Sequence, residues 1–242
     1  MGLLDAVSIP RRTMVLFFLV DTSGSMSGDK IGAVNEAIRE VIPEINDISS
    51  ENADAQIKIA VLDFSSGAHW IYDKPVEADQ FVWNNLEVGG LTDMGVAFKM
   101  LNEKLSRTEF MSDITGSYAP AIFMMSDGAP TDDYKKELEE LRKNKWFKVG
   151  IKVAVAIGDD ANTDILKEFT GNEESVTRVR TPEALKKMIR FASVTASQIG
   201  SKSSGVGIGG NDDSSTKADD FTKQLKEYTA ENIDPNDVQA GW

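Results

Sequence analysis

Val15-Leu16-Phe17-Phe18-Leu19-Val20, running directly into Asp21-Thr22-Ser23-Gly24-Ser25, is the stretch on which the reading of this chain turns. Six consecutive apolar residues with no polar alternation describe a strand covered on both faces, the central position of a parallel sheet. The run is too short to span a bilayer and stops at a carboxylate, so it reads neither as a membrane helix nor as a signal segment. The five residues after it are equally informative. Asp21, Ser23 and Ser25 alternate in a turn that Gly24 allows to be tight, so three hard oxygen donors stand at a strand end.

Working outward, strand-like and helix-like segments alternate. Residues 30–48 carry Ile31, Val34, Ala37, Ile38, Val41 and Ile45 at helical spacing, with Pro43 expected to perturb the last turns. Further strands are predicted at 57–64, 69–72, 121–125 and 151–157. Further helices are predicted at 94–105, 132–142, 164–169 and 182–192, the last opened by Thr181, Pro182 and Glu183 as start signals. Such alternation implies a largely parallel sheet with right-handed crossovers, and a ligand site outside the carboxyl ends of the strands.

Two further loops at that end hold oxygen donors. Gly89-Gly90-Leu91-Thr92-Asp93 precedes the 94–105 helix, and Ser126-Asp127-Gly128 comes directly after the 121–125 strand. Thr92 is expected both to cap that helix and to donate its hydroxyl to the site. Hydroxyls with a few carboxylates suit Mg²⁺ or Mn²⁺, which take near-octahedral oxygen shells and retain waters. The loops offer no His or Cys, which argues against zinc. Asp29 and Asp93 read as solvated or capping residues, Asp63 as the edge of the site region, and Asp159, Asp160 and Asp164 as turn and cap residues. His69, the single histidine, reads as a surface residue.

At these positions the chain resembles the von Willebrand factor A family, whose metal-ion-dependent adhesion site combines an Asp-x-Ser-x-Ser motif, a Thr on a second loop and an Asp on a third. Asp21, Ser23, Ser25, Thr92 and Asp127 match all five positions. The likeness extends over about residues 12–197. The stretch Ala156-Ile157-Gly158-Asp159-Asp160-Ala161-Asn162 is similar to that of bacterial TerY-type proteins associated with tellurite resistance. The resemblance implies an α/β fold: a Rossmann-like, doubly wound, mostly parallel six-stranded sheet with one antiparallel edge strand. It also implies a bound Mg²⁺ or Mn²⁺ that completes its shell with a Glu or Asp from a protein partner, for some relatives in the company of a kinase or phosphatase.

Composition narrows the alternatives. The chain has 242 residues, 26 basic against 39 acidic side chains, a net charge of −13 and no cysteine. Nucleic acid and anionic membrane surfaces are therefore not expected partners, and thiolate chemistry is excluded. A cytoplasmic protein is expected. An enzymatic reading has one handle, because a strand ending in Asp also opens haloacid-dehalogenase-type phosphatases. Those need a second Asp where Ser23 stands, so a non-enzymatic binding module is the expectation. From Gly200 the composition turns to Gly and Ser. Residues 198–242 are read as a linker and a disordered or partner-docking tail, with Phe221, Leu225 and Tyr228 on one side of a short helix over 218–232.

Overall fold

A computed structural model describes residues 11–112, 116–201 and 212–233. Strand β1 (Arg12–Asp21) runs through the middle of the sheet, and every residue of it after Arg12 is buried. It pairs in parallel with β2 (Ala55–Ser65) on one side and β5 (Ala121–Ser126) on the other. Beyond β5 the sheet continues in parallel through β6 (Ile151–Ile157) to β7 (Val176–Val179). Beyond β2 it ends in two short antiparallel pieces, β3 (Gly67–Trp70) and β4 (Val76–Glu77), which share the outer edge of β2.

The sheet is thus mostly parallel with an antiparallel edge, as the resemblance implied, but that edge is broken, so the strands among the described residues number seven. Asp73, Lys74 and Pro75 occupy the break, and Pro75 has no amide hydrogen to donate to a ladder. Strand β3 also lies two residues earlier than predicted. Strand β7 escaped the sequence reading because four residues interrupted by Thr177 and Arg178 leave no apolar run.

Alternation along β1 assigns its side chains to two cores. Met14, Leu16, Phe18 and Val20 face α1 (Asp29–Glu51) and α6 (Pro182–Gly200). Val15, Phe17 and Leu19 face α2 (Met94–Lys104), α3 (Tyr134–Lys143), α4 (Lys145–Val149) and α5 (Thr163–Thr170). Helix α1 continues through Pro43 to Glu51. Pro43 and Arg39, whose carbonyl loses its partner, both lie on the exposed face, where water can satisfy that carbonyl.

After Gly200, where a linker and a disordered or partner-docking tail were expected, part of the chain is helical and packed on the domain. Residues Asp212–Asn232 form helix α7, and Phe221 and Leu225 are fully buried against the α1–α6 layer. Tyr228 stacks on Phe191 with ring centroids 3.9 Å apart, and the hydroxyls of Thr222 and Ser175 lie 3.2 Å apart. A segment too polar to hold a helix by itself finds an apolar surface already built by α6, and tertiary burial supplies what local propensity lacks. Most of the predicted Gly/Ser linker, and Val238 and Trp242, lie outside the described residues.

The position of the site is set by the strand order. From β1 the chain winds outward through β2 on one side, and from β5 through β6 on the other. The winding therefore reverses between β1 and β5, where the two crossover connections leave a crevice at the carboxyl ends.

Candidate metal centre

The register Val20↔Met125 brings Asp21 and Ser126 out of the sheet side by side. Asp21 is fully buried; its Oδ1 accepts from the Ser23 amide at 2.8 Å and its Oδ2 from Ser126 Oγ at 2.6 Å. After it, Gly24–Met26 make one turn of 3₁₀ helix, with Met26 buried as an anchor. That turn brings Ser25 Oγ 3.1 Å from Ser23 Oγ and lets it donate to Asp127 Oδ1 at 2.7 Å. The first and third loops are thereby joined through side-chain oxygens.

The second loop is sewn to the first by backbone. Gly89 N donates to Thr22 O at 2.9 Å, and Gly24 N donates to Gly90 O at 3.2 Å. Gly90 has φ +82°, and a Cβ there would stand 2.6 Å from Ser66 Oγ, so neither the conformation nor the space admits a side chain. The expected capping role of Thr92 is not found. The first turn of α2 is capped instead by Asp132, whose carboxylate accepts from Gly95 N at 3.1 Å and Val96 N at 3.2 Å. The backbone carbonyl of Thr92 accepts from Met94 N and Thr131 N. Its hydroxyl is left to face the other two loops.

Gly128 marks where they meet. A Cβ built there would lie 3.7 Å from Ser25 Oγ, 3.7 Å from Thr92 Oγ1 and 3.9 Å from Asp21 Oδ2. One small volume is therefore bordered by an oxygen from each of the first two loops and by the Asp21 carboxylate, and the third loop contributes its floor. Among the described residues no group of three or more His, Asp or Glu comes together. The set is built on hydroxyls with two carboxylates, Asp21 and Asp127. Such a set fits a small hard cation that keeps part of its water shell.

Burial raises the Asp21 carboxyl above the ordinary carboxylate value. The Ser126 and Ser23 hydrogen bonds oppose this, and the negative charge of Asp127 adds to it. A cation beside Asp21 would reverse the largest of these effects by supplying the charge that the removed water no longer balances.

The remaining acidic residues fall outside the cluster. Asp93 ties the loops together, accepting from Gly67 N at 2.9 Å and Thr131 Oγ1 at 3.4 Å. Asp63 lies 3.8 Å from His69, whose side chain is largely exposed. Asp159 pairs with Arg180, and Asp164 sits in the first turn of α5. Three participants had no role assigned to them from the sequence: Ser126, Gly128 and Lys30. The ammonium of Lys30, in the first turn of α1, pairs with Asp127 Oδ2. A lysine at a helix N-terminus opposes the helix dipole, and that local mismatch is the signal that could have drawn notice.

Residues 16–191 match the family model of the von Willebrand factor type A domain. The chain belongs to the von Willebrand factor A family. Comparison with curated proteins gives no match. Among solved structures, a von Willebrand factor type A protein from Catenulispora acidiphila is similar at TM-score 0.59 and 18% identity, covering 77% of this chain and 43% of that one. The ArnB paralog VWA2 from Sulfolobus acidocaldarius is similar at TM-score 0.55 and 20% identity, covering 74% and 44%. Proximal thread matrix protein 1 from the mussel byssus, solved with a zinc-occupied MIDAS motif, is similar at TM-score 0.57 and 16% identity, covering 76% and 48%. The chain spans less than half the length of each of these, and at such identities they share its fold. Domains of this family commonly bind a divalent metal at that motif and mediate protein interactions through it. No helix among the described residues of this von Willebrand factor A domain is long and apolar enough to cross a membrane.

Proposed function

We propose that this von Willebrand factor A domain is a divalent-cation-dependent protein-binding module. In this reading Asp21, Ser23, Ser25, Thr92 and Asp127 hold Mg²⁺ or Mn²⁺, directly or through water, and a Glu or Asp of a partner protein takes the open position. The observation that carries it is the convergence of Ser25 Oγ, Thr92 Oγ1 and Asp21 Oδ2 around one volume over Gly128. Binding is favoured over turnover because all four carboxylate oxygens of Asp21 and Asp127 are already engaged by Ser23, Ser126, Ser25 and Lys30. Position 23 also carries a hydroxyl where a haloacid-dehalogenase-type phosphatase needs an acid. Leu91, 58% exposed beside Thr92, and Val96, 37% exposed on the first turn of α2, give the rim an apolar shoulder on which a partner side chain could rest.

The finer proposals are a TerY-type role in tellurite resistance, a kinase or phosphatase as the partner, and action in the cytoplasm. They rest on the Ala156–Asn162 likeness and on the absence of cysteine. The test is calorimetric titration of Mg²⁺ and Mn²⁺, with Zn²⁺ alongside because the mussel protein holds it, into the wild type and Asp21→Ala. Partner capture is then compared with and without EDTA. Metal binding by the wild type alone, with capture lost in EDTA, is expected. Equal metal uptake by Asp21→Ala refutes the assignment, and Mg²⁺-dependent hydrolysis of an aryl phosphate that Asp21→Asn abolishes replaces binding with catalysis.

A further inference from the structure

The two carboxylates of the centre are not electrically equivalent. Asp21 is held by neutral donors only, the Ser23 amide and the Ser126 hydroxyl. Asp127 accepts from Ser25 Oγ on one oxygen and carries the Lys30 ammonium on the other, with the lysine side chain 19% exposed and that of Asp127 2% exposed. A fixed unit of positive charge is therefore built into the cluster from α1, on a residue that offers a metal no ligand.

We infer that Lys30 is a positioning residue that sets the charge of the metal centre and thereby selects a carboxylate as its partner group. The inference rests on the metal-binding reading of the five oxygen donors. With Asp127 matched by Lys30, one uncompensated negative charge, that of Asp21, remains to meet a divalent cation. The loaded centre keeps a single net positive charge, which one incoming carboxylate neutralises. Without the lysine, the two aspartates would hold the cation more tightly and leave no charge to attract an acidic group. Lys30 thus lowers affinity for the metal and raises the affinity of the loaded site for an anion. A divalent ion and a unit charge on the order of 6 Å apart interact enough to shift an equilibrium about tenfold even at the dielectric constant of water. An ion pair that merely tied α1 to the loop after β5 would predict something else: loss of stability, with both affinities unchanged or both reduced.

The experiment uses the full chain as wild type, Lys30→Met and Lys30→Arg. Mg²⁺ is titrated into each by calorimetry, acetate is then titrated into the Mg²⁺-loaded proteins, and the Mg²⁺-induced rise in melting temperature is recorded. Lys30→Met is expected to bind Mg²⁺ about tenfold more tightly or better, with a larger rise in melting temperature, and to bind acetate, which feels half that interaction because it carries a single charge, about threefold more weakly or worse. Lys30→Arg, which keeps the charge, is expected to track the wild type in both. Mg²⁺ affinity that is unchanged or lower in Lys30→Met overturns the inference, as does acetate binding no weaker than in Lys30→Arg. A wild type that takes Mg²⁺ but ignores acetate overturns it too. A wild type that takes no Mg²⁺ removes the metal-binding reading and this inference together, which separates the two failures.

Discussion

Gly128→Ala tests the geometry of the centre without touching any candidate ligand. The added methyl would sit 3.7, 3.7 and 3.9 Å from Ser25 Oγ, Thr92 Oγ1 and Asp21 Oδ2, all ordinary van der Waals separations. Gly128 is not among the glycines of positive φ, so alanine introduces no backbone strain. The metal-free variant should therefore be as stable as the wild type, or about 0.4–1 kcal/mol more stable through its stiffer unfolded chain. In the presence of metal the outcome reverses. An ion bonded at about 2.1 Å to those oxygens, with waters on its open side, competes with the methyl for the same volume. At a metal concentration about 100-fold above the dissociation constant, binding should stabilise the wild type by about 2.7 kcal/mol. For a chain of this size that is a rise in melting temperature of about 5–11 °C. A tenfold weaker affinity removes about 1.4 kcal/mol of this, or roughly half the rise. Melting curves of both proteins across a Mg²⁺ series make the measurement. A variant that matches the wild type at every Mg²⁺ concentration would show that the ion does not bind over Gly128, and the assignment of Ser25, Thr92 and Asp21 to one ion would fail.

Phe221→Ala empties a fully buried position under α7 and should cost about 3–5 kcal/mol, lowering the melting temperature by about 6–20 °C; a drop under about 2 °C would mean that α7 is not part of the folded unit. Gly95→Ala would bring a Cβ within 2.8 Å of Asp132 Oδ2 and 3.0 Å of the Tyr134 Cα, so the α2–α3 contact should be forced apart at a cost of about 1–3 kcal/mol, seen as a lower denaturant midpoint. The Asp21 carboxyl supplies a pH signature. Because burial raises it above 3.8 in the folded protein, the unfolded chain releases its proton first as pH climbs, and metal-free stability falls until the folded-state value is passed. Melting of the metal-free wild type should therefore decline relative to Asp21→Asn as pH rises through that window, and saturating Mg²⁺ should reverse the order; parallel curves for the two proteins would contradict the burial argument.

The residues of Val15–Ser25 and their spacing were enough to indicate a central parallel strand delivering oxygen donors to a turn, because continuous apolarity and an Asp at the strand end are local properties. The five matching positions were legible for the same reason: Ser23 and Ser25 are neighbours of Asp21, and Thr92 and Asp127 each come after recognisable glycine or strand signals. What the sequence could not supply was any relation between distant segments. That Lys30 reaches Asp127, that Ser126 holds Asp21, and that Asp132 rather than Thr92 caps α2 are consequences of strand register and loop packing between residues 37 to 105 positions apart. Helix α7 makes the same point for the fold. Phe221 and Leu225 lie on a segment too polar to fold alone, and only the apolar surface offered by α6 gives them somewhere to be buried. Local chemistry is written in neighbouring residues; pairing partners are chosen by which surfaces the finished sheet leaves uncovered, and that choice exists only once the chain has closed on itself.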